Sequence, residues 1–286
     1  MWLKMLGPEH VDVARTYNNL GNVQRMLGNL QQAKENYERA LDIQMKKLGP
    51  EHADVARTYN NVGNVQRTLG DLQQAKTNYE RALDIQLKKL GPDHVDVAGT
   101  YNNLGNVQRT LGDLQQAKEN FERALDIQLN KLKPEHVAVA NTYNNLGNVH
   151  RMLGDLQHAK ENIERARDIL FKTLGPKHIA VANTYNNLGN VQRMLGDLQQ
   201  AKASYERALD IQLKKLGPRH VDVAGTYNNL GYVQRKLGDL QQAKECHERA
   251  LDIQLKKLGT RHVVVARTLN DLGNVQRSLG NLEQAN

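Results

Sequence analysis

Three kinds of side chain recur along this chain on one schedule, and each has recognition chemistry. The stretch TYNNLGNVQR at residues 16–25 returns unchanged at 100–109 and 184–193. Single replacements mark the copies at 58–67, 142–151 and 226–235, and a looser copy lies at 268–277. One column of amides is Asn18, Asn60, Asn102, Asn144, Asn186, Asn228 and Asn270. A second holds Asn22, Asn64, Asn106, Asn148 and Asn190, is interrupted by Tyr232 and resumes at Asn274. A third is cationic: Arg25, Arg67, Arg109, Arg151, Arg193, Arg235 and Arg277. An amide offers two hydrogens and a carbonyl oxygen, so it pairs with both polar groups of a peptide unit without demanding a particular side chain. A guanidinium adds charge and a two-pronged reach toward carboxylates. Together they suit an extended, acidic polypeptide.

A fourth column, His10, His52, His94, His136, His178, His220 and His262, invites a metal reading. Zinc holds imidazole nitrogens at about 2.0–2.1 Å, whereas packed helices stand about 8–10 Å apart. Neighbouring rungs therefore cannot share an ion, and a capping role at a helix start is the expectation. No H-E-x-x-H, Walker A, G-x-G-x-x-G or paired-Cys motif occurs, so no metal or cofactor is assigned. Cys246 is the single cysteine, which leaves no intrachain disulfide and points to a reducing, cytoplasmic setting. It stands where the first copy has Asn36 and is expected as a lone surface or seam thiol. With no acid–base pair set in a closed pocket, the reading is a protein that is not an enzyme.

The elements that carry these columns follow from the period. Pro8, Pro50, Pro92, Pro134, Pro176 and Pro218 repeat every 42 residues, and Thr260 takes the next slot. Within one unit, Val13, Ala14, Tyr17, Leu20, Gly21 and Leu27 form a helical stripe, and Leu30, Ala33, Tyr37, Ala40, Leu41 and Leu48 form another. Gly28 and Gly49 close the two helices, Asn29 is placed to cap the second, and the tight connection makes the pair antiparallel. On the second helix Glu35 with Arg39 and Asp42 with Lys46 read as solvated pairs. One hairpin cannot bury both its faces, so copies must stack into a solenoid.

The pattern Tyr17, Leu20, Gly21, Gln24, Gly28, Ala33, Tyr37 and Ala40 resembles the tetratricopeptide repeat (TPR) over essentially the whole chain. The longer unit, with LGPEHVDVA, NNLG and ERALDIQ, is similar to the 42-residue repeats of kinesin light chain and nephrocystin-type proteins. The resemblance implies an all-α, right-handed superhelical solenoid of antiparallel helix pairs. It is expected as a single array over 1–286, with pairs starting near 9, 51, 93, 135, 177, 219 and 261 and residues 1–6 left from a preceding second helix. The usual aromatic after Leu-Gly is Gln24 here and His150 in the fourth copy, and the family's heptads before the repeats are missing, so motor association is not carried over.

The resemblance also implies a concave groove lined by first helices. On a helical wheel centred on Tyr17, Asn18, Asn22, Arg25 and Arg15 lie about 80–160° away. The expected peptide-binding residues are therefore Asn18, Asn22, Arg25, Asn60, Asn64, Arg67, Asn102, Asn106, Arg109, Asn144, Asn148, Arg151, Asn186, Asn190, Arg193, Asn228, Tyr232 and Arg235. Asn19 and its copies, nearer the helix–helix seam, are expected to hold register instead. The slot of Arg15 varies (Arg57, Gly99, Asn141, Asn183, Gly225, Arg267), as does that of Met26. Solvent-facing drift and a specificity stripe both account for this.

The expected function is a scaffold binding an extended acidic peptide. The alternatives are an architectural or self-assembling array, and RNA binding by a basic groove. The net charge of +8 invites the latter, but the unit 9–50 carries six basic and five acidic side chains, so the excess is small and repeated. Aromatic residues are 5% of the chain and the repeated Tyr17 is assigned to the core, so nucleic acid lacks stacking platforms other than Tyr232. No apolar run is long enough to span a membrane. The terminal stretches align with partial second helices, which reads as a piece of a longer or engineered array with head-to-tail contacts between uncapped ends.

Overall fold

In the computed structural model, residues 7–285 are described, with side chains to residue 280. The reading of residues 1–6 as a helix remnant lies outside the described residues. The chain forms two compact units that part between Pro134 and Glu135. The first holds three hairpins: α1 (Val11–Met26) with α2 (Leu30–Leu48), α3 (Ala53–Leu69) with α4 (Leu72–Leu90), and α5 (Val95–Leu111) with α6 (Leu114–Lys131). The second holds α7 (Val137–Leu153) with α8 (Leu156–Leu174), α9 (Ile179–Leu195) with α10 (Leu198–Leu216), and α11 (Val221–Leu237) with α12 (Leu240–Leu258). It then closes on α13 (Val263–Ala285). All regular structure among the described residues is helical.

The first helices begin two residues later than expected because the repeated histidine caps them. His52 Nδ1 accepts from the Asp54 N–H at 3.1 Å, and His10, His94, His136, His178, His220 and His262 do the same. At the other end, Gly70 lies in the left-handed region (φ 93°) and the Asp71 N–H reaches back to the Gln66 carbonyl at 2.9 Å. That turn needs a residue without a Cβ, and it reverses the chain. The expected side-chain cap of the second helices is absent at Asn29, Asp71, Asp113, Asp197 and Asp239; Asp155 alone makes one. Second helices end on a left-handed glycine such as Gly49 or Gly91, except in the third repeat, where Lys133 takes that slot. There α6 stops at Lys131 and Leu132 is extended, immediately before the division between the units.

Each hairpin closes around one large side chain. Tyr37, Tyr79, Phe121, Ile163, Tyr205 and His247 occupy the same slot and are fully buried. They lie against a glycine of the first helix: a Cβ on Gly189 would stand 2.7 Å from the Tyr205 ring. Burying one such side chain stabilises by about 1.5–3 kcal/mol, and the glycine is what lets the two backbones close on it. Ala33, Ala40 and their equivalents are also fully buried, as small residues at close approaches should be.

Two expectations change and one narrows. The Asp42–Lys46 pair forms at 2.8 Å, but Arg39 leaves Glu35 and lies over the Tyr17 ring, 5.8 Å from its centroid. A flat guanidinium gains more there than in a solvated ion pair. Of the two placements expected for Cys246, surface or seam, the structure selects the seam: the thiol is buried in a cluster with Tyr227, Leu230 and Ala250. Finally, α13 runs unbroken through Gly280 to Ala285, where a turn and a new helix were expected.

Candidate functional site

From Asn18 to Asn228 the first amide column is tied up by hydrogen bonds within the protein. Asn18 Nδ2 donates to Thr58 Oγ1 of the next repeat at 3.0 Å, Asn60 to Thr100 at 2.8 Å, Asn186 to Thr226 at 2.9 Å and Asn228 to Thr268 at 2.6 Å. Each buried threonine hydroxyl also lies within 2.7–2.8 Å of a glutamine Oε1 on the preceding second helix: Gln44, Gln86, Gln212 and Gln254. Three helices are thus tied by one amide–hydroxyl–amide chain. In the other two repeats Asn102 donates to the Ala98 carbonyl at 3.3 Å, and Asn144 accepts from Asn187 at 2.9 Å. A role in register, expected for Asn19, is shared: the Asn18 column ties four seams, and Asn187 of the Asn19 column bonds back to Asn144 of the repeat before it.

The column beginning at Asn22 is tied within each hairpin. The tyrosine hydroxyl donates to the amide oxygen at 2.8 Å for Tyr37–Asn22, 2.9 Å for Tyr79–Asn64 and 2.8 Å for Tyr205–Asn190. Where Phe121 or Ile163 replaces the tyrosine, Asn106 and Asn148 turn to the carbonyls of Asn102 and Asn144, both at 3.0 Å. Where Tyr232 replaces the asparagine, His247 Nδ1 instead meets Asn228 Oδ1 at 3.1 Å. These bonds take only the oxygen of Asn22, Asn64 and Asn190. No acceptor among the described residues takes their N–H groups.

The arginine column is electrically unbalanced. Burial pushes the Tyr79 and Tyr205 hydroxyls up to about 12, a rise that the neighbouring Arg67 and Arg193 partly oppose. Tyr37 is raised in the same way beside Arg25. Arg151 is held below the ordinary arginine value, first by burial and then by repulsion from Arg193. Among the described residues no carboxylate pairs with Arg151, Arg193 or Arg235. Tyr232 stands in this column, its ring centroid 5.0 Å from the Arg193 guanidinium and 5.6 Å from that of Arg235. Arg109 belongs to the same column and is half-buried.

Residues of the Asn18 and Asn19 columns together line two recesses. In the first unit a recess of about 270 Å³ is lined by Arg15, Asn18, Asn19, Asn22, Arg57 and Asn61. In the second unit a larger one, about 790 Å³, is lined by Asn183, Asn186, Asn187, Gly225 and Asn229. Both lie on the first-helix face, and both contain the variable slot of Arg15. That slot decides their character. Arg15 meets Asp12 at 3.3 Å and Arg57 pairs with Asp54, so the first recess is narrow and internally neutralised. Asn183 and Gly225 leave the second one open. A signal in the sequence was available: Thr16 and its copies sit on the opposite side of Tyr17 from Asn18, so in a stack of like helices Asn18 must face the next threonine.

The tetratricopeptide repeat family model matches residues 1–46, 12–88, 54–130, 96–170, 138–214 and 222–286. No curated protein matches the sequence. Among solved structures the chain is similar to BtubC (BKLC) from P. vanneervenii, with 25% identity and a TM-score of 0.65 over 84% of this chain and 93% of that one. It is also similar to putative kinesin light chain TPR-like repeats from Podosopora anserina, at 25% identity and a TM-score of 0.61 over 73% of this chain and 100% of that one. A chain of the APC/C hetero-tetramer Cut9-Hcn1 gives a TM-score of 0.70 at 17% identity over 96% of this chain and 44% of that one, a likeness of fold alone. The tetratricopeptide repeat is a scaffold fold with a general role in protein interaction. The two-helix unit of 42 residues, the Gly–Tyr closure of each hairpin and the family match over nearly the whole length make this chain a member of the tetratricopeptide repeat family, of the kinesin light chain type.

Proposed function

We propose that the first-helix face binds an extended acidic segment of another protein, without chemical transformation. The observation that carries this reading is the column Arg151, Arg193 and Arg235, half-buried and unmatched by carboxylates among the described residues. Cations kept partly out of water and beside one another cost free energy until an anion joins them, and Arg151 already carries that cost in its lowered value. Carboxylates of the ligand lie against this column. Its peptide groups meet the amides of Asn187 and Asn229, with the open N–H groups of Asn190 beside the arginines. The Asn18 column holds the repeats in register and supports the site from behind. The slots of Asn183 and Gly225 then decide which side chains of the ligand fit.

The test uses fluorescence anisotropy with short labelled peptides, one rich in Asp and Glu and one with the matching amides, and a labelled RNA of equal charge. Each charge-assisted contact is worth about 1.5–3 kcal/mol, so Arg193→Gln weakens the acidic peptide by about tenfold or more. Equal binding of acidic and amide peptides, or tight and steeply salt-dependent RNA binding without peptide binding, would overturn the reading.

A further inference from the structure

The fourth repeat departs from the others at two slots that face each other. The first slot is glutamine at Gln24, Gln66, Gln108, Gln192, Gln234 and Gln276, and is His150 here. The second is glutamine at Gln32, Gln74, Gln116, Gln200 and Gln242, and is His158 here. In other repeats the two amides touch: Gln66 donates to Gln74 at 3.1 Å, Gln192 to Gln200 at 3.3 Å and Gln234 to Gln242 at 3.2 Å. One slot is in the last turns of the first helix, the other in the first turn of the second. Replacing both with histidine brings two imidazoles across the tight turn, with Asp155 between them.

The geometry is that of a ligand set. His150 Nδ1 stands 3.1 Å from Asp155 Oδ2, and His158 Nδ1 stands 2.8 Å from the same oxygen. One ligating atom from each of the three residues lies within 4.8 Å of the others. The ring centroids are 5.5 Å apart and tilted by 30°. His150 is buried against the hairpin while His158 is mostly exposed, so the trio has a rigid back and an open front. Asp155 is also the one helix-capping acid here whose carboxylate accepts a backbone N–H, that of His158 at 3.4 Å. That bond turns it toward the imidazoles.

We propose that His150, Asp155 and His158 bind one divalent late transition-metal ion of the zinc class at the turn of the fourth repeat. Two imidazole nitrogens and one carboxylate oxygen favour such ions over magnesium or calcium, which take oxygen ligands. An ion about 2.1 Å from each ligand spreads the ligand atoms to about 3.4 Å apart. From the 2.8 Å and 3.1 Å contacts through Asp155 that is an opening of a few tenths of an ångström, and rotation of the exposed His158 sets its nitrogen relative to His150, with all three ligand atoms already within 4.8 Å. Water fills the remaining positions. The capping histidines such as His136 and His178 have their Nδ1 engaged by backbone N–H groups and stand on separate helices, so they offer no comparable trio.

The experiment titrates the intact chain with Zn²⁺ by calorimetry and with Co²⁺ by visible absorption. The variants are His150→Gln and His158→Gln, each restoring what the other repeats carry, and Asp155→Asn, which matches Asn29 of the first repeat. These are residues the fold already accepts, and far-UV circular dichroism checks the helix content of each. One saturable ion per wild-type chain is expected, with ligand-field bands for Co²⁺, a zinc-dependent rise in Tm, and at least a tenfold loss of affinity in every variant. Isotherms that superpose for wild type and the three variants, or no saturable binding by the wild type, would sink the site.

Discussion

The side-chain amide of Asn186 donates to the hydroxyl of Thr226 at 2.9 Å, and that hydroxyl lies 2.7 Å from Gln212 Oε1. These residues come from α9, α11 and α10, so one short polar chain crosses from a repeat to its successor. Thr226 is buried, and nothing but its partners can satisfy it. Thr226→Val is nearly isosteric but leaves the buried Gln212 amide and the half-buried Asn186 amide short of a partner. The expected cost is about 1–3 kcal/mol, read as a lower urea midpoint. A change within a few tenths of a kcal/mol would show that the chain is ornamental.

Two glycines in first helices should respond in opposite directions to alanine. Gly189 has no room, since an added Cβ meets the Tyr205 ring at 2.7 Å. Gly189→Ala is expected to destabilise by about 1–3 kcal/mol through overpacking. Gly225 is helical and exposed, and a methyl group added there would meet no heavy atom within 4 Å. Gly225→Ala should stabilise by up to about 1 kcal/mol from helix propensity. Thermal unfolding of both variants checks the pair.

His247 makes stability fall in acid. Burial holds its imidazole below the ordinary histidine value, and Arg235 lowers it further while Asp271 opposes both. The unfolded chain therefore binds the proton first, starting near a pH of about 6.5, and the folded state loses ground as pH falls further. His247→Phe copies Phe121 of the third repeat and removes this contribution. Denaturation midpoints measured between neutral pH and a pH of about 5 should slope less in the variant than in the wild type.

Cys246 reports on unfolding. Burial pushes its thiol up to about 11, so little thiolate exists at neutral pH and reagents have little access. Labelling with iodoacetamide, followed by mass spectrometry, is expected to track the urea transition. Rapid labelling of the native chain would contradict the buried placement.

Much of the fold was legible in the residues themselves. Gly21, Ala33 and Tyr37 announced a close helix pair by type and spacing, and the structure closes each hairpin on those residues. Gly70 and Gly91 announced the turns because a left-handed φ excludes most other residues. The second-helix caps failed: Asp71 and its equivalents stand at the right slot but, Asp155 excepted, make no side-chain cap bond.

The candidate site was only half legible. Composition and period alone dictated that amides and guanidiniums form columns on the first helices, since one helical period repeated every 42 residues leaves no other arrangement. They could not say which column was consumed internally. A wheel gives an angle about one helix axis, and at about 100° from the buried centre a side chain can meet either solvent or the next helix. Thr58 arrives beside Asn18 from 40 residues away only because whole hairpins stack. That stacking, settled by the close packing around Tyr37 and its equivalents, tied most of the Asn18 amides to the next repeat and left the Asn19 column and the arginines half-buried on the first-helix face.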